Sequence, residues 1–387
     1  MKIILLGASG SIGSQTLELL EKYKNKWDLH GFSVGNRVEK IHEILSKFDK
    51  VKYICVKNKG DYLKLKKQFP NIKFYYGDEG LIKLINSNKN AYVLNALVGF
   101  VGLKPTLKAL NNNQTVLLAN KESIVCGGDL IKDLLKKGKG KIIPIDSEHV
   151  AIAKCLYGHD INEVESITIT ASGGPFYFLG KDEFKNIKLE DALNHPTWKM
   201  GNKITIDSAT LVNKTFEIIE AFYLFDMPLE KINVVVDRKS YVHGFVKFKD
   251  GSVTLNVSKP SMLGPIDYAL NLGIPSNGQF EDLEQNTLDK YELLPLDKEK
   301  FSVINNANTV ILNKGTSGTI LNAANEKLVN LFLNKRINFL LIYEFIDKIM
   351  NTTRFEKSRN YSQLKKIDSQ IKERIEEELK NGSFINK

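Results

Sequence analysis

The run Lys2-Ile3-Ile4-Leu5-Leu6-Gly7-Ala8-Ser9-Gly10-Ser11-Ile12-Gly13 decides how the first half of this chain folds. The apolar start is too short for a signal-peptide core and lacks a cleavage site, so it reads as a buried strand that opens the fold. Three glycines spaced G-x-x-G-x-x-G follow it, and a helical pattern begins at Ser11. Glycine suits a tight turn and lets main chain approach a pyrophosphate. The helix N-terminus adds free N–H groups and the positive end of its dipole. A glycine motif alone is a weak sign, but one placed between a first strand and a helix points to a dinucleotide site. The competing reading is an ordinary strand-to-helix turn. The candidate cofactor residues here are Ser9, Gly10, Ser11 and Ile12.

The tip of the second strand selects the cofactor. It reads Val34-Gly35-Asn36-Arg37, with no carboxylate for ribose hydroxyls and with a guanidinium available to a 2′-phosphate. Gly35, Asn36 and Arg37 therefore point to NADPH. The bland alternative is that Arg37 is a solvated residue opening the next helix.

Outward from this site, apolar runs alternate with helical patterns. Strands are expected at 2–6, 30–34, 51–56, 73–76, 92–97, 116–119 and 141–145, with helices at 11–24, 37–48, 60–69, 78–87, 102–112 and 121–137 between them. Repeated β-α units predict a parallel, Rossmann-like sheet covered on both faces. After about residue 150 the pattern changes. A strand at 165–170, a loop-rich stretch to Asp207, a helix at about 210–224 and strands at 232–236, 240–248 and 252–257 predict an α+β domain. The stretch 260–300 contains four prolines and reads as irregular. Beyond it, amphipathic periodicity and Lys/Glu pairing predict helices. The expected fold class is thus α/β: an N-terminal dinucleotide-binding domain over 1–150, a catalytic α+β domain over 151–275, a connector over 276–310 and a C-terminal helical domain over 311–387.

The net charge of +10 is carried mostly by lysine. It accompanies no zinc-finger spacing and no RNP-type aromatic motif, so neither a nucleic-acid nor a membrane partner is expected. Cys55, Cys126 and Cys155 are odd in number and lack C-x-x-C spacing, which predicts free, buried thiols in a reducing compartment. The expected location is the cytoplasm, or an organelle if a transit peptide has been removed.

Asp146-Ser147-Glu148-His149 follows the last strand of the first domain. Residues i and i+2 of an extended segment point to one side, so Asp146 and Glu148 can aim two carboxylates at one point, as a hard divalent cation requires. A helix cap competes equally on this local pattern. A second cluster runs from Asp207 to Glu217. Asn213, Lys214 and Glu217 share a helix face, while Leu211, Val212, Phe216 and Ile219 supply the apolar one. Ser172-Gly173-Gly174 after a strand can cradle an anion or simply turn the chain. His195-Pro196-Thr197-Trp198 runs on to Met200 and Gly201. It sets Trp198 and Met200 in a polar loop without a burying period, as an apolar cover over a ligand would.

Together with Asn120-Lys121-Glu122-Ser123 and Leu321-Asn322-Ala323-Ala324-Asn325-Glu326, these motifs resemble, in order and spacing, those of the 1-deoxy-D-xylulose 5-phosphate reductoisomerase family. The resemblance spans essentially the whole chain, and the ordered co-occurrence is specific where each motif alone is not. It implies an NADPH-dependent enzyme using Mn²⁺ or Mg²⁺. The enzyme would convert 1-deoxy-D-xylulose 5-phosphate to 2-C-methyl-D-erythritol 4-phosphate in the non-mevalonate isoprenoid pathway.

By motif, it assigns the metal to Asp146, Glu148 and Glu217. The substrate phosphate goes to Ser172, Ser208, Asn213 and Lys214 with His195 close by, and the substrate oxygens to Lys121 and Ser147. Asn120, Glu122 and Gly201 join the cofactor site, Trp198 and Met200 form a mobile cover, and the assembly is expected to be a homodimer. One departure stands out: the family pattern carries His-Pro where this chain has Asp237-Arg238, although His243 is kept. Rival readings are another NADPH-linked dehydrogenase of a semialdehyde or sugar phosphate, and a dinucleotide-sensing regulator.

Overall fold

The computed structural model of the chain describes residues 1–198, 200–276, 283 and 292–382. Within the connector expected over 276–310, residues 277–282 and 284–291 lie outside the described residues. The chain forms two compact units.

The first unit is built on β1 (Lys2–Leu6), β2 (Asp28–Ser33), β3 (Tyr53–Val56), β4 (Lys73–Tyr76), β5 (Tyr92–Asn95), β6 (Thr115–Leu118) and β7 (Lys141–Pro144). Between them run α1 (Ser11–Lys22), α2 (Lys40–Lys47), α3 (Lys59–Gln68), α4 (Gly77–Asn86), α5 (Leu103–Asn111) and α6 (Lys121–Lys136), and α7 (Ser147–Cys155) follows β7. All strand pairs are parallel, in the order β4-β3-β2-β1-β5-β6-β7. The strand order reverses between β1 and β5, so the Gly7 turn lies at the carboxyl-end switch point where such sheets bind ligands. Ile3, Ile4, Leu5 and Leu6 are fully buried, as a central strand covered on both faces requires.

The second unit contains β8 (Val164–Ala171), α8 (Leu189–Leu193), α9 (Asn202–Thr210), α10 (Val212–Phe225), β9 (Ile232–Val236), β10 (Val242–Phe248) and β11 (Val253–Val257). Its sheet, completed by Leu294–Pro295 as β12, has the order β11-β10-β8-β9-β12 and is mixed: β8 and β9 are parallel, the other pairs antiparallel. α11 (Leu263–Leu270) comes next in sequence, then β12 (Leu294–Pro295), α12 (Asn306–Asn313), α13 (Ser317–Leu333), α14 (Leu340–Thr352) and α15 (Tyr361–Lys380). The core gathers aromatic side chains around Phe184. Phe301, Phe339 and Tyr343 lie at ring-centre distances of 5.8, 5.8 and 5.6 Å, within the range of favourable edge and offset pairs.

Helices α8, α9 and α11 lie in stretches that the sequence reading gave as loop or irregular. α9 occupies the end of the stretch read as loop. Its Asn-Lys-Ile-Thr-Ile-Asp-Ser-Ala-Thr sequence is poor in helix formers and has no side-chain cap. α9 and α10 are separated by Leu211 in the left-handed region at φ 61°, an uncommon place for a residue without a special turn chemistry. α11 lies in the stretch read as irregular, with Pro265 accommodated in its first turn.

α11 belongs to the first unit, where Trp27 donates its indole N–H to Leu270 O at 3.2 Å and Tyr23 hydrogen-bonds Asp267. The middle of α6, Ile124–Asp129, groups with the second unit. There Gly128 leaves the space that the Tyr223 ring occupies, and Tyr223 donates to Asp129 at 3.0 Å. The compact units thus cut across a linear division at residue 150. All three cysteines are free and buried. Among the described residues no helix is long and apolar enough to cross a membrane.

Candidate functional site

In the first unit the glycine turn has the form a dinucleotide requires. Gly7 takes φ 84°, and a Cβ there would stand 2.5 Å from Ala96 O. A Cβ on Gly13 would collide with the Gly7 carbonyl. Both positions exclude a side chain on steric grounds. The turn is tied to β2 by Gly7 N–H to Ser33 Oγ at 2.9 Å and by Ala8 N–H to Ser33 O at 2.8 Å. α1 starts at Ser11 with no side-chain cap, so its first N–H groups are not satisfied from that source. Arg37 is exposed and reaches back to donate to Ser9 O, which brings the guanidinium onto the glycine turn. Gly35 and Asn36 are exposed beside it.

Asn120 behaves differently from an open cofactor ligand. It is fully buried, accepts the Ser123 N–H at 3.1 Å as the cap of α6, and donates to Leu97 O, Gly99 O and the Glu122 carboxylate at 3.0, 3.1 and 2.9 Å. Its side chain shapes the loop that ends β5 and orients Glu122. Gly102 is glycine because a Cβ would strike this carboxamide.

At the N-terminus of α6, Lys121 is buried and pairs with Asp146. Ser147 donates to Glu148 at 2.6 Å. Asp146 and Glu148 bring carboxylate oxygens within 4.8 Å of one another. The main chain of Asp146 starts α7 by accepting the Val150 N–H at 2.9 Å, while its carboxylate faces Lys121. Oxygen donors of this kind suit Mg²⁺ or Mn²⁺.

In the second unit, α10 presents the predicted polar face inward. Lys214 and Glu217 are both buried and form an ion pair, Asn213 donates to Glu217 Oε1, and Lys214 donates to Thr170 O at the end of β8. A buried charge of this kind requires a partner, and each has one.

His195 sits beside this helix system. Its Nε2 lies 3.1 Å from Ser172 Oγ and 3.0 Å from Ser208 Oγ, which joins the loop after β8, the loop before α9, and α9 itself. Its Nδ1 accepts main-chain N–H groups from Thr197 at 3.1 Å and Trp198 at 2.9 Å. Burial, with a smaller contribution from the Arg238 charge, lowers the imidazole to about 4. The ring is therefore neutral at pH 7, with its proton on Nε2 and available to an oxygen ligand. Gly173 and Gly174 have φ of 75° and 62°, as the tight loop between Ser172 and Pro175 needs. Trp198 is half-buried, 6.5 Å from His243 between ring centres. Met200 is half-buried and Gly201 exposed.

Sequence reading named Asp207, Asn322, Asn325 and Glu326 only as members of motifs and did not foresee that they hold α9. Asp207 is buried, pairs with Lys203 at 2.6 Å, and accepts from Asn325 of α13 at 2.8 Å. Asn322 donates to Glu326 at 3.0 Å, and Lys372 of α15 pairs with Glu326 at 2.7 Å. The motif from Leu321 to Glu326 thus acts as a polar seam under the helix that carries Ser208. The signal in the sequence was the motif Leu321–Glu326 itself, which sets two asparagines in a helix otherwise rich in apolar residues.

Family models match over residues 3–128 (1-deoxy-D-xylulose 5-phosphate reductoisomerase), 142–225 (the C-terminal domain of that enzyme) and 257–374 (DXP reductoisomerase C-terminal domain). The reductoisomerase of Clostridium tetani is 40% identical over 379 residues, covering 97% of this chain and 98% of its own. That of Clostridium novyi is 42% identical over 353 residues, covering 90% and 91%. Among solved structures, the Zymomonas mobilis enzyme in complex with NADPH has 32% identity and a TM-score of 0.88 over 96% of this chain and 97% of its own. A reductoisomerase in complex with NADPH, fosmidomycin and magnesium has 32% identity and a TM-score of 0.89, covering 98% of each chain.

Proposed function

This chain belongs to the 1-deoxy-D-xylulose 5-phosphate reductoisomerase family, and on that premise we propose how its residues share the work of the reaction. It is an NADP-dependent oxidoreductase that isomerises and reduces 1-deoxy-D-xylulose 5-phosphate to 2-C-methyl-D-erythritol 4-phosphate, with NADPH and Mg²⁺ or Mn²⁺ as cofactors.

The dinucleotide takes the Ser9–Ile12 turn, Gly35–Arg37, the loop shaped by Asn120 and Glu122, and Gly201. Asp146, Glu148 and Glu217 are the metal ligands. When bound, the cation acts as a Lewis acid on substrate oxygens, and NADPH supplies the hydride. Lys121, held by Asp146, and Ser147 contact the substrate's oxygens. Ser172, Ser208, Asn213, Lys214 and the Nε2–H of His195 hold the phosphate. That group is remote from the bonds that change, so its binding energy serves orientation. Trp198 and Met200 close over the site and exclude water.

The observation that carries this reading is the buried polar face of α10. Lys214, Asn213 and Glu217 interlock there, with Lys214 and Glu217 almost fully buried, an expensive arrangement that a solvated Lys–Glu pair would not need. The test is NADPH oxidation on addition of 1-deoxy-D-xylulose 5-phosphate. Turnover should vanish in chelator and return with Mn²⁺ or Mg²⁺. Undiminished turnover in chelator would remove the metal from the reaction.

A homodimer is the expected assembly. β11 supports it as an edge strand with Val253 and Leu255 exposed, apolar surface that a monomer ordinarily covers. A monomeric mass in sedimentation at micromolar concentration would exclude it.

A further inference from the structure

The departure at Asp237-Arg238 gives both side chains a defined position. Asp237 is buried, and its carboxylate accepts three main-chain N–H groups, from Lys239 at 2.9 Å and from Tyr241 and Val242 at 2.8 Å each. These bonds close the turn between β9 and β10, in which Ser240 takes φ 56°. The direction of residue 238 is therefore set by a hydrogen-bonded turn. Arg238 leaves that turn toward the loop after β8. Its Nη1 donates to the carbonyls of Ser172 and Gly174, the second at 2.6 Å. The guanidinium carbon lies 5.5 Å from the ring centres of both Tyr177 and Phe178, within cation–π range. Gly173, between the two bonded carbonyls, has φ 75°, and a Cβ there would stand 3.1 Å from Nη1. The Ser172–Gly174 loop is thus wrapped around the guanidinium.

The same loop carries the Ser172 hydroxyl, 3.1 Å from His195 Nε2, and this hydroxyl also accepts the Gly174 N–H at 3.2 Å. Arginine keeps its charge in a half-buried setting, and the two N–H groups of Nη1 can serve one carbonyl each. A fixed cation a few ångströms behind an anion cradle also raises the local potential for a phosphate dianion.

We propose that Arg238 is a positioning residue of the phosphate site: it holds the Ser172–Gly174 cradle in its binding shape and adds permanent positive charge behind it. This rests on the assignment of Ser172, His195 and Ser208 to the substrate phosphate.

The test uses full-length enzyme loaded with NADPH and metal, with inorganic phosphate as a probe that does not depend on turnover. In Arg238→Met, phosphate affinity should fall and the KM for the phosphorylated substrate should rise together, by about 10- to 100-fold. The kcat should stay within about 3-fold, because Ser208, Asn213, Lys214 and His195 still orient the bound phosphate and Arg238 touches none of the reacting atoms. NADPH affinity should be unchanged. Arg238→Gln keeps a donor for one carbonyl and removes the charge, so it decides the matter if the Met variant does not fold. It is expected to lose about tenfold in phosphate affinity. If inorganic phosphate competes with substrate in the parent enzyme and does so equally well in the variants, Arg238 has no such role. A lower Tm with unchanged KM and phosphate affinity overturns it equally. If phosphate fails to compete even in the parent enzyme, the site assignment falls and this proposal falls with it.

Discussion

The main-chain N–H of Trp198 donates to Nδ1 of His195 at 2.9 Å. The main chain at Thr197 and Trp198 and the hydroxyls of Ser172 and Ser208 therefore meet on the two nitrogens of one ring. With Nδ1 occupied as an acceptor by Thr197 as well, the neutral ring carries its proton on Nε2. Nitrogen NMR at pH 7 should find His195 as the Nε2–H tautomer, and the opposite tautomer would contradict this geometry.

The same imidazole makes stability depend on pH. Burial, then the Arg238 charge, depresses it to about 4, below the unfolded value near 6.5. The unfolded chain therefore binds more protons between those values. The contribution to stability is complete above about pH 6.5 and is lost as pH falls toward 4. His195→Asn should flatten the Tm-versus-pH curve across that window, and an unchanged slope would exclude His195 as its source.

Glu217→Gln should lower metal-dependent turnover by at least about 100-fold, the scale of lost metal-centred charge stabilisation. NADPH affinity, measured by fluorescence titration, should stay nearly intact. Full activity would remove Glu217 from the metal site.

Lys214→Met leaves the Glu217 carboxylate buried without its cation. Removing one member of a buried pair costs about 3–5 kcal/mol, so urea denaturation without metal should show a loss of that order. Added Mn²⁺ should restore part of it, because the ion supplies positive charge to the same carboxylate. Equal loss with and without metal would argue against that neighbourhood.

Arg37→Ala should weaken NADPH by about tenfold, as expected for loss of a charge-assisted phosphate contact, and leave NADH nearly unaffected. Equal effects on both nucleotides would show that Arg37 acts only through its bond to Ser9 O.

Much of this was legible in the linear chain. The order strand, glycine turn, helix at Lys2–Lys22 determined the parallel sheet, since its apolar runs and helical periods can be buried only by alternation. The spacing of Asn213, Lys214 and Glu217 determined a shared helix face, because 3.6 residues per turn permit no other outcome. α9 was hidden because local propensity opposed it. The helix is held from outside by Asn325, which donates to Asp207 from 118 positions away, beside the local Lys203–Asp207 pair. α11 was hidden because its hold on Tyr23 and Trp27 joins residues more than 240 apart, a distance over which no period can report. Asp237-Arg238 appeared only as a departure from a pattern. What the guanidinium does depends on which carbonyls the Ser172–Gly174 loop turns toward it, and only the packed tertiary structure decides that. Local chain chemistry determines which elements form and which face each one buries. Contacts between distant segments determine which polar groups meet, because their partners are chosen by packing and not by position in the sequence.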